Sequence, residues 1–434
     1  MLRSFLAPRH PRTLLSRRHE RRRLGRSADA IPSRSYISSE DETTATDADR
    51  AAAKPVAATS ANRHGSTSPK HRRQHLYLIL DDWKKGFSIH KLDLLGDGSD
   101  GGDLALRPPV HRQSSEQINY WSFAALGSNI IATGKLRYYR EKDCVTLVYD
   151  TETAGLSILP DIPKTLRAHW LHTAAAGNKL YTFAGNLDGN ESYYKGCMHR
   201  LEDAPPPMDT AAYRWGNNDH WSWSSIPWTL PFDVFQVQSI AVHPAERGHT
   251  QFVSVEGGQD SDPLGQDNPS CTYSYAIESG KWRGHGKWGL SFFGQVHFDK
   301  ELAWVGLHKA HEYTDGYICS CDVISPTDSH TKPAWKLCKE MMFDPDATMR
   351  LDMDRHIPAS LVYMGDSSYC LVEVVPQERF NKRHCTSTGS KCMIRLFTLK
   401  YGKNGELRTT AHKPNRSFLF SKYNEDFQVR AFWM

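Results

Sequence analysis

The chain has 434 residues, of which 39% are hydrophobic and 11% aromatic, and its formal net charge is +5. This length fits two or three average domains or one large repeat architecture. Residues 1–74 hold 16 Lys and Arg against 7 Asp and Glu, a net of +9, so residues 75–434 carry −4. A slightly acidic body argues against a nucleic-acid partner there, because phosphate binding needs clustered Lys and Arg. No run approaches the roughly 18 apolar residues of a membrane helix, so no membrane span is expected.

The first part of the basic segment has the composition of a targeting sequence. Residues 1–36 are rich in Arg, Leu and Ser and poor in acids, which resembles a mitochondrial transit peptide. Arg34 and Tyr36 fit the matrix-processing pattern of Arg, any residue and an aromatic before the cleaved bond. The sequence therefore predicts a mitochondrial protein. The basic clusters at 17–23 and 70–73 leave a nuclear or cytosolic address as the alternative.

The next residues have the composition of a linker. Residues 37–74 are rich in Ala, Ser, Thr and Asp, which predicts a disordered linker and places the start of the ordered body near His75. All nine cysteines lie in the body, at irregular spacing. An odd number without a regular pattern favours a reducing compartment over a disulfide framework.

From His75 onward the chain reads as short β-strands. Runs of 4–8 residues rich in β-branched and aromatic side chains alternate with Gly, Asp, Asn and Pro, and no stretch shows a helical period over about 12 residues. The clearest runs are HLYLIL (75–80), CVTLVYD (144–150), NKLYTFAG (178–185), TQFVSV (250–255), ELAWVGL (301–307) and YCLVEVV (369–375).

The strands recur in a similar order, which indicates internal repeats. We count about six units, at 75–118, 119–164, 165–236, 237–294, 295–345 and 354–434. A four-stranded sheet cannot bury both faces alone, whereas radial stacking buries them against neighbouring sheets. The pattern predicts an all-β, kelch-like β-propeller of about six blades over residues 75–434. The run FQVRAFWM (427–434) is a candidate for the strand that closes the ring on the first blade.

One aromatic stretch, KWRGHGKWGLSFFGQVHFDKELAWVGL at 281–307, could be a binding surface, a catalytic loop or the junction of two repeats. We interpret it as the junction. Residues 281–282 end one repeat, WGLSFFG at 288–294 forms its outer strand, and Asp299-Lys300 is the turn of the next hairpin. The tryptophans are then expected to pack between blades.

The same stretch resembles a family of uncharacterised plant proteins, expanded in cereal grasses, which is described as a domain of unknown function and is similar to kelch-type propellers. The residues that carry the resemblance are Trp288, Phe292, Phe293, Gly294, Glu301, Leu302, Trp304, Gly306 and Cys321-Asp322. It extends to HLYLILDDWKKGFSIHKLDL (75–94) and RLFTLKYGKNGELRTTAHKP (395–414). The resemblance implies a propeller and brings no established activity.

No pattern points to a catalytic residue, a metal site or a cofactor. The run His308-Lys309-Ala310-His311-Glu312 has the wrong order for a metalloprotease helix. Cys319-Ser320-Cys321 places both thiols on one side of a strand, which favours packing in a blade. The tryptophans crowded into 214–228 are expected to pack between blades. If Trp215 and His220 instead lie on the loop, they are the candidate binding surface, because exposed aromatics anchor interfaces.

These observations predict a non-catalytic propeller that binds a protein or peptide on one loop face. A propeller enzyme is the first alternative, since its polar groups would converge on the central channel from different blades and leave no local motif. The second alternative is a nucleic-acid-associated protein that uses its basic N-terminal tail.

Overall fold

The structure is a computed structural model of the chain. It describes residues 74–82, 86–94, 103–114, 118–136, 144–159, 163, 166, 171–185, 196–203, 221–227, 230–245, 248–257, 270–310, 313–325, 331–343, 359–376, 390–411, 415–420 and 428–434. The predicted transit peptide over residues 1–36, with Arg34 and Tyr36, and the predicted linker up to residue 73 lie outside the described residues.

The described chain is all-β and is built from six antiparallel sheets, the blades. From the inside of the ring outward, the strands are β26 (Gln428–Trp433), β1 (Leu76–Asp82), β2 (Gly86–Leu92) and β4 (His111–Ser114) in blade 1; β5 (Ile118–Leu126), β6 (Asn129–Leu136), β7 (Cys144–Asp150) and β8 (Leu156–Leu159) in blade 2; β9 (Leu171–Ala176), β10 (Lys179–Ala184), β11 (Cys197–Asp203) and β12 (Trp221–Ile226) in blade 3; β13 (Val237–Ala245), β14 (Gly248–Val255), β15 (Cys271–Ala276) and β16 (Lys281–Gly286) in blade 4; β17 (Phe292–Asp299), β18 (Ala303–Ala310), β19 (Tyr313–Cys321) and β20 (Trp335–Leu337) in blade 5; and β21 (Ala359–Gly365), β22 (Ser368–Pro376), β23 (Ser390–Tyr401) and β25 (Arg416–Phe420) in blade 6.

Three short elements supplement the blades. Strand β24 (Leu407–Ala411) also pairs with β23, and β3 (Asp103–Ala105) pairs in parallel with the outer strand β25 of blade 6. A 3-10 helix, Val234–Gln236, leads into β13, and the Asp233 side chain caps it by accepting a hydrogen bond from the Phe235 N–H. The architecture is therefore a six-bladed β-propeller, as the repeat pattern predicts.

The two ends of the described chain close the ring in blade 1. The C-terminal strand β26 pairs antiparallel with β1 from Leu76–Trp433 to Asp81–Gln428. Backbone hydrogen bonds in both directions between His75 and Met434 extend this pairing. The prediction that the run at 427–434 completes the first blade is confirmed for its described residues.

Hydrophobic clusters fill the interfaces between neighbouring blades, and the alternation of side chains along each strand explains how. In β1, Leu76, Leu78 and Leu80 join the cluster shared with blade 6, whereas Tyr77 and Ile79 join the cluster shared with blade 2. Successive side chains of a strand point to opposite faces, so one central strand supplies two interfaces. Similar clusters lie between blades 2 and 3, 3 and 4, 4 and 5, and 5 and 6.

The stretch at 281–307 is a junction between blades, but the predicted boundary within it is wrong. The outer strand of blade 4 is β16, KWRGHG, and residues 287–291 connect it to the innermost strand of blade 5, which begins at Phe292. Trp282 packs against blade 3 and Trp288 against blade 5. Both halves of the stretch have strand-like composition, so composition alone could not locate the connection.

The innermost strands run parallel to one another along the channel, so the two faces of the propeller differ. Strands β13 and β17 pair in parallel at Ser239–Gly294, Ile240–Gln295 and Ala241–Val296, and thereby join blades 4 and 5. We call the face where innermost strands begin the upper face and the face where they end the lower face. In blades 2 to 6 the hairpin between the two innermost strands turns at the lower face, whereas in blade 1 these two strands come from opposite ends of the described chain.

Candidate functional site

The innermost strands of the blades surround a central channel of about 840 Å³. Strands β26, β5, β9, β13, β17 and β21 all contribute to its wall. This volume lies within the roughly 300–1,000 Å³ that is typical of ligand sites. The channel is therefore a candidate functional site.

Arg430 of β26 supplies the channel with a permanent positive charge. Its side chain is exposed to the channel, although protein surrounds it. This surrounding protein lowers the pKa of Arg430, and the negative charge of Asp81 on the neighbouring strand β1 opposes the shift. An arginine remains protonated at physiological pH despite such a shift.

Two histidines of the channel wall are held in the neutral form. Burial and then the nearby charge of Arg430 lower the pKa of His172 in β9 to about 4, against a hydrogen bond with the Val234 backbone that raises it. Burial also lowers the pKa of His297 in β17. The Nε2 atom of His297 lies 2.8 Å from the Leu361 carbonyl oxygen of blade 6, so it carries the proton and donates to that oxygen.

The charge of the channel wall is thus one-sided. Of the described residues that line it, none is a carboxylate, and Arg430 alone carries a permanent charge. The remaining polar groups are mainly amides and hydroxyls, including Gln238, Gln295, Gln428 and Ser360. Such a wall suits an anionic group from a ligand better than a cationic one.

A second cavity of about 350 Å³ lies at the seam of blades 4 and 5. We call it the lysine groove, since Lys287, Lys309 and Lys332 line it from separate segments. Gln238 lines both the groove and the channel, so the two cavities adjoin. Lys309 donates a 3.0 Å hydrogen bond to Glu256.

The predicted binding residues Trp215 and His220 lie outside the described residues. They belong to the connection between β11 and β12, and the described ends of these strands place the start and end of that connection at the lower face.

The run at 308–312 and the Cys319-Ser320-Cys321 run have structural roles in their described residues. His308 pairs with Asp315 at 2.8 Å and stacks on Trp335. No group of three His, Cys, Asp or Glu side chains in the described part of the chain is arranged to hold a metal ion. Cys319 and Cys321 are buried between blades 4 and 5, and burial raises the pKa of both thiols, that of Cys321 to about 12.

Sequence reasoning missed Arg430, His172 and the lysine groove. The sequence does carry a signal for Arg430, because it is a charged residue within a strand-like run and lies between the apolar Val429 and Ala431. The groove had none, since its lysines are far apart in the chain and meet only when blades 4 and 5 pack together.

The fold and the channel define the protein as a six-bladed β-propeller whose central channel has a mixed apolar and polar wall that carries one arginine, Arg430. The chain belongs to the family described as "Protein of unknown function (DUF1668)", which matches residues 73–418. No curated protein matches the chain significantly. Among the described residues, no helix has the length and apolar character needed to span a membrane.

Several solved structures resemble the chain at low identity. TolB from Acinetobacter baumannii is 11% identical, with a TM-score of 0.35 over 83% of this chain and 66% of TolB, just under two thirds of its length. A GH43_1 enzyme from Xanthomonas citri is 12% identical, with a TM-score of 0.33 over 71% of this chain and 92% of the enzyme. The β-propeller domain of the Trilobed protease from Pyrococcus furiosus is 10% identical, with a TM-score of 0.25 over 72% and 98% of the two chains.

Proposed function

We propose that the protein is a non-catalytic β-propeller interaction module that binds a protein or peptide segment at its upper face, with an acidic side chain of the ligand entering the channel. The observation that carries the proposal is the channel wall, where Arg430 is the permanent charge and no described residue is a carboxylate. A carboxylate of the ligand would form a charge-assisted, bidentate pair with the guanidinium group.

Gln238, near the start of β13, lines both the channel and the lysine groove, and this shared wall supports the upper face as the binding face. The connection between β10 and β11 spans residues 185–196, and that between β14 and β15 spans 256–270; both leave from and return to this face. The lower face also carries a long connection, residues 204–220 between β11 and β12, so loop length by itself does not distinguish the two faces. Long loops on a rigid scaffold are where binding residues concentrate.

The enzyme alternative has less support from the described channel. Glycoside hydrolysis, for example, uses a pair of carboxylates, and the described wall has none. A general acid or base works best with a pKa near the operating pH, whereas the pKa of His172 is lowered to about 4. The nucleic-acid alternative depends on residues 1–73, which the structure does not describe, and stays a hypothesis.

The test is a selection of random peptides on the full-length protein, followed by affinity measurements on the selected peptides. We expect enrichment of Asp or Glu at one peptide position. The variant Arg430→Gln should bind these peptides about tenfold more weakly, because a charge-assisted pair contributes about 1.5–3 kcal/mol.

The matched control is Lys300→Gln, which removes one positive charge from the lower turn of blade 5. This control should leave the affinity for the selected peptides unchanged. The variant Arg430→Lys keeps a positive charge, so it should retain part of the affinity that Arg430→Gln loses. A selection that yields no binders, or binders that tolerate Arg430→Gln fully, would refute the proposal.

We also propose that residues 1–36 direct the protein to mitochondria and are removed there. The support is the Arg-rich, acid-poor composition and the Arg34 and Tyr36 processing pattern. Mass spectrometry of the mature N-terminus tests this proposal. An end at Ile37 or Ser38 in purified mitochondria supports it, and an intact Met1 in the nucleus or cytosol contradicts it.

A further inference from the structure

The lysine groove brings three cationic side chains to one cavity although they are distant in the chain. Lys287 lies in the connection between β16 and β17, Lys309 lies in β18, and Lys332 lies in the connection between β19 and β20. The hydroxyl-bearing residues Ser254 and Ser270 also line the cavity. The groove thus combines several positive charges with neutral hydrogen-bonding groups.

The charges of the groove are only partly neutralised. Glu256 accepts hydrogen bonds from Lys309 through one carboxylate oxygen and from Gln238 through the other. No ion pair within the described part of the chain engages Lys287 or Lys332, and both side chains are exposed. Among the described residues around the groove, three lysines against one glutamate leave a local charge of about +2.

The floor of the groove is held in place by its own hydrogen bonds. The Leu290 N–H donates to the Ser254 hydroxyl oxygen over 2.9 Å, and the Thr272 hydroxyl donates to the Trp288 carbonyl oxygen over 2.8 Å. These bonds tie the connection between blades 4 and 5 to strands β14 and β15 of blade 4. The lysines consequently surround a floor that is already ordered before any ligand binds, which lowers the cost of binding.

We propose that the lysine groove binds the dianionic phosphoryl group of a phosphorylated peptide. Lysine binds phosphate as a compact point charge, and a phosphoserine carries close to two negative charges at neutral pH, which matches the unneutralised charge of Lys287 and Lys332. Because Gln238 lines both cavities, a peptide anchored in the groove can extend over the mouth of the channel. The inference deepens the proposed peptide-binding function and rests on it for the choice of a peptide as the ligand.

The test is calorimetry at fixed ionic strength on the full-length protein, with inorganic phosphate and with three versions of one short peptide. The versions carry phosphoserine, serine or glutamate at the central position. We expect phosphate to bind weakly, the phosphoserine peptide to bind more tightly, and the other two peptides to bind at least about tenfold more weakly than the phosphopeptide.

Two variants should shift the phosphopeptide affinity in opposite directions. Lys287→Gln with Lys332→Gln removes the two unpaired charges and should weaken binding about tenfold or more. Glu256→Gln keeps the hydrogen-bonding shape but removes the competing negative charge, so binding should tighten about threefold. The matched control, Lys281→Gln with Lys300→Gln, removes two exposed charges from the lower ends of blades 4 and 5 and should change nothing.

Four results would overturn the inference. They are no heat with either phosphate or the phosphopeptide, equal affinity for the glutamate peptide, an equal loss in the matched control, and tighter binding of an oligoribonucleotide of similar charge. If the lysine groove does not bind the phosphopeptide but peptide binding still weakens in Arg430→Gln, the inference about the groove is wrong and the proposed function stands.

Discussion

The carboxylate of Asp299 links the lower turn of blade 5 to blade 6. One of its oxygens accepts hydrogen bonds from the Glu301 and Leu302 N–H groups and from the Ser367 hydroxyl, and the other accepts one from the Tyr369 hydroxyl at 2.9 Å. Asp299 is 1% exposed, so water cannot replace these bonds easily. Burial, followed by the charge of Asp299, raises the pKa of Tyr369, which therefore stays protonated as a donor.

We expect Asp299→Ala to lower the free energy of unfolding by about 3 kcal/mol or more, because it leaves several buried donors without an acceptor. Tyr369→Phe removes one donor and should cost about 1 kcal/mol. Urea denaturation of both single variants and of the double variant measures the coupling. Since both act on the same bond, the double variant should lose less than the two single losses combined, and additive losses would contradict this account.

Local turn chemistry could be predicted at this scale, whereas channel chemistry could not. The Asp299-Lys300 turn follows from an acid at the end of a strand-like run, and the structure confirms it: β17 ends at Asp299 and β18 begins at Ala303. The role of Arg430 depends on which residues face it across the ring. His172, whose pKa it lowers, comes from blade 3, and no local spacing relates the two.

At the scale of elements, the ring depends on one C-terminal strand. Strand β26 contributes Val429 and Ala431, both buried, to the cluster between blades 6 and 1, and it also carries Arg430 of the channel. Its loss would expose the inner edge of β1 and open that cluster to water. Strand β3, in contrast, adds three residues to the outer edge of blade 6.

We therefore expect deletion of residues 428–434 to abolish cooperative unfolding and to leave the protein prone to aggregation. Replacement of residues 103–105 by Gly and Ser is the control and should lower the melting temperature by only a few degrees. Calorimetry and light scattering on the two variants measure the difference. A truncated chain that unfolds cooperatively near the wild-type temperature would show that β26 is not required for closure.

Strand runs and their grouping could be predicted, but the order of strands within a junction could not. The six predicted units correspond to the blades because turns rich in Gly and Asp recur between strand-like runs. Within 281–307, however, the inner strand β17 and the outer strand β16 have similar composition, and their position in the ring decides which face each buries. The parallel pairing of β13 with β17 is set by the approach of two blades and has no sequence signature.

At the scale of the whole molecule, buried histidines make stability depend on pH. Burial lowers the pKa of six described histidines, His90, His111, His172, His199, His243 and His297. His199 is 1% exposed, its Nδ1 lies 3.1 Å from the Ser225 hydroxyl oxygen, and its pKa is about 4. The folded protein therefore resists protonating these rings, whereas the unfolded chain protonates them near pH 6.5.

This difference sets the sign of the pH effect. Between pH 6.5 and about 4 the unfolded chain binds more protons than the folded protein, so the free energy of unfolding falls as the pH falls. Glu202 adds to this loss only at lower pH: burial would raise its pKa, but hydrogen bonds and charges from Lys179 and Arg200 outweigh burial and lower it. The upper part of this interval, from pH 6.5 to about 5.5, therefore reports mainly on the histidines, because Glu and Asp of the unfolded chain are still ionised there.

We expect urea denaturation to show full stability above pH 7 and a continuous loss between pH 6.5 and 4.5. His199 alone accounts for up to about 3 kcal/mol of this loss at pH 4, since each unit of pKa shift corresponds to about 1.4 kcal/mol. His199→Gln cannot titrate in this range, so its stability should decline less steeply than that of the wild type, even if it is lower at pH 7. If the free energy of unfolding falls equally steeply with pH in the wild type and in His199→Gln, His199 has the same pKa in the folded and unfolded states. A wild-type stability that stays constant down to pH 4.5 would contradict the lowered pKa of these six histidines.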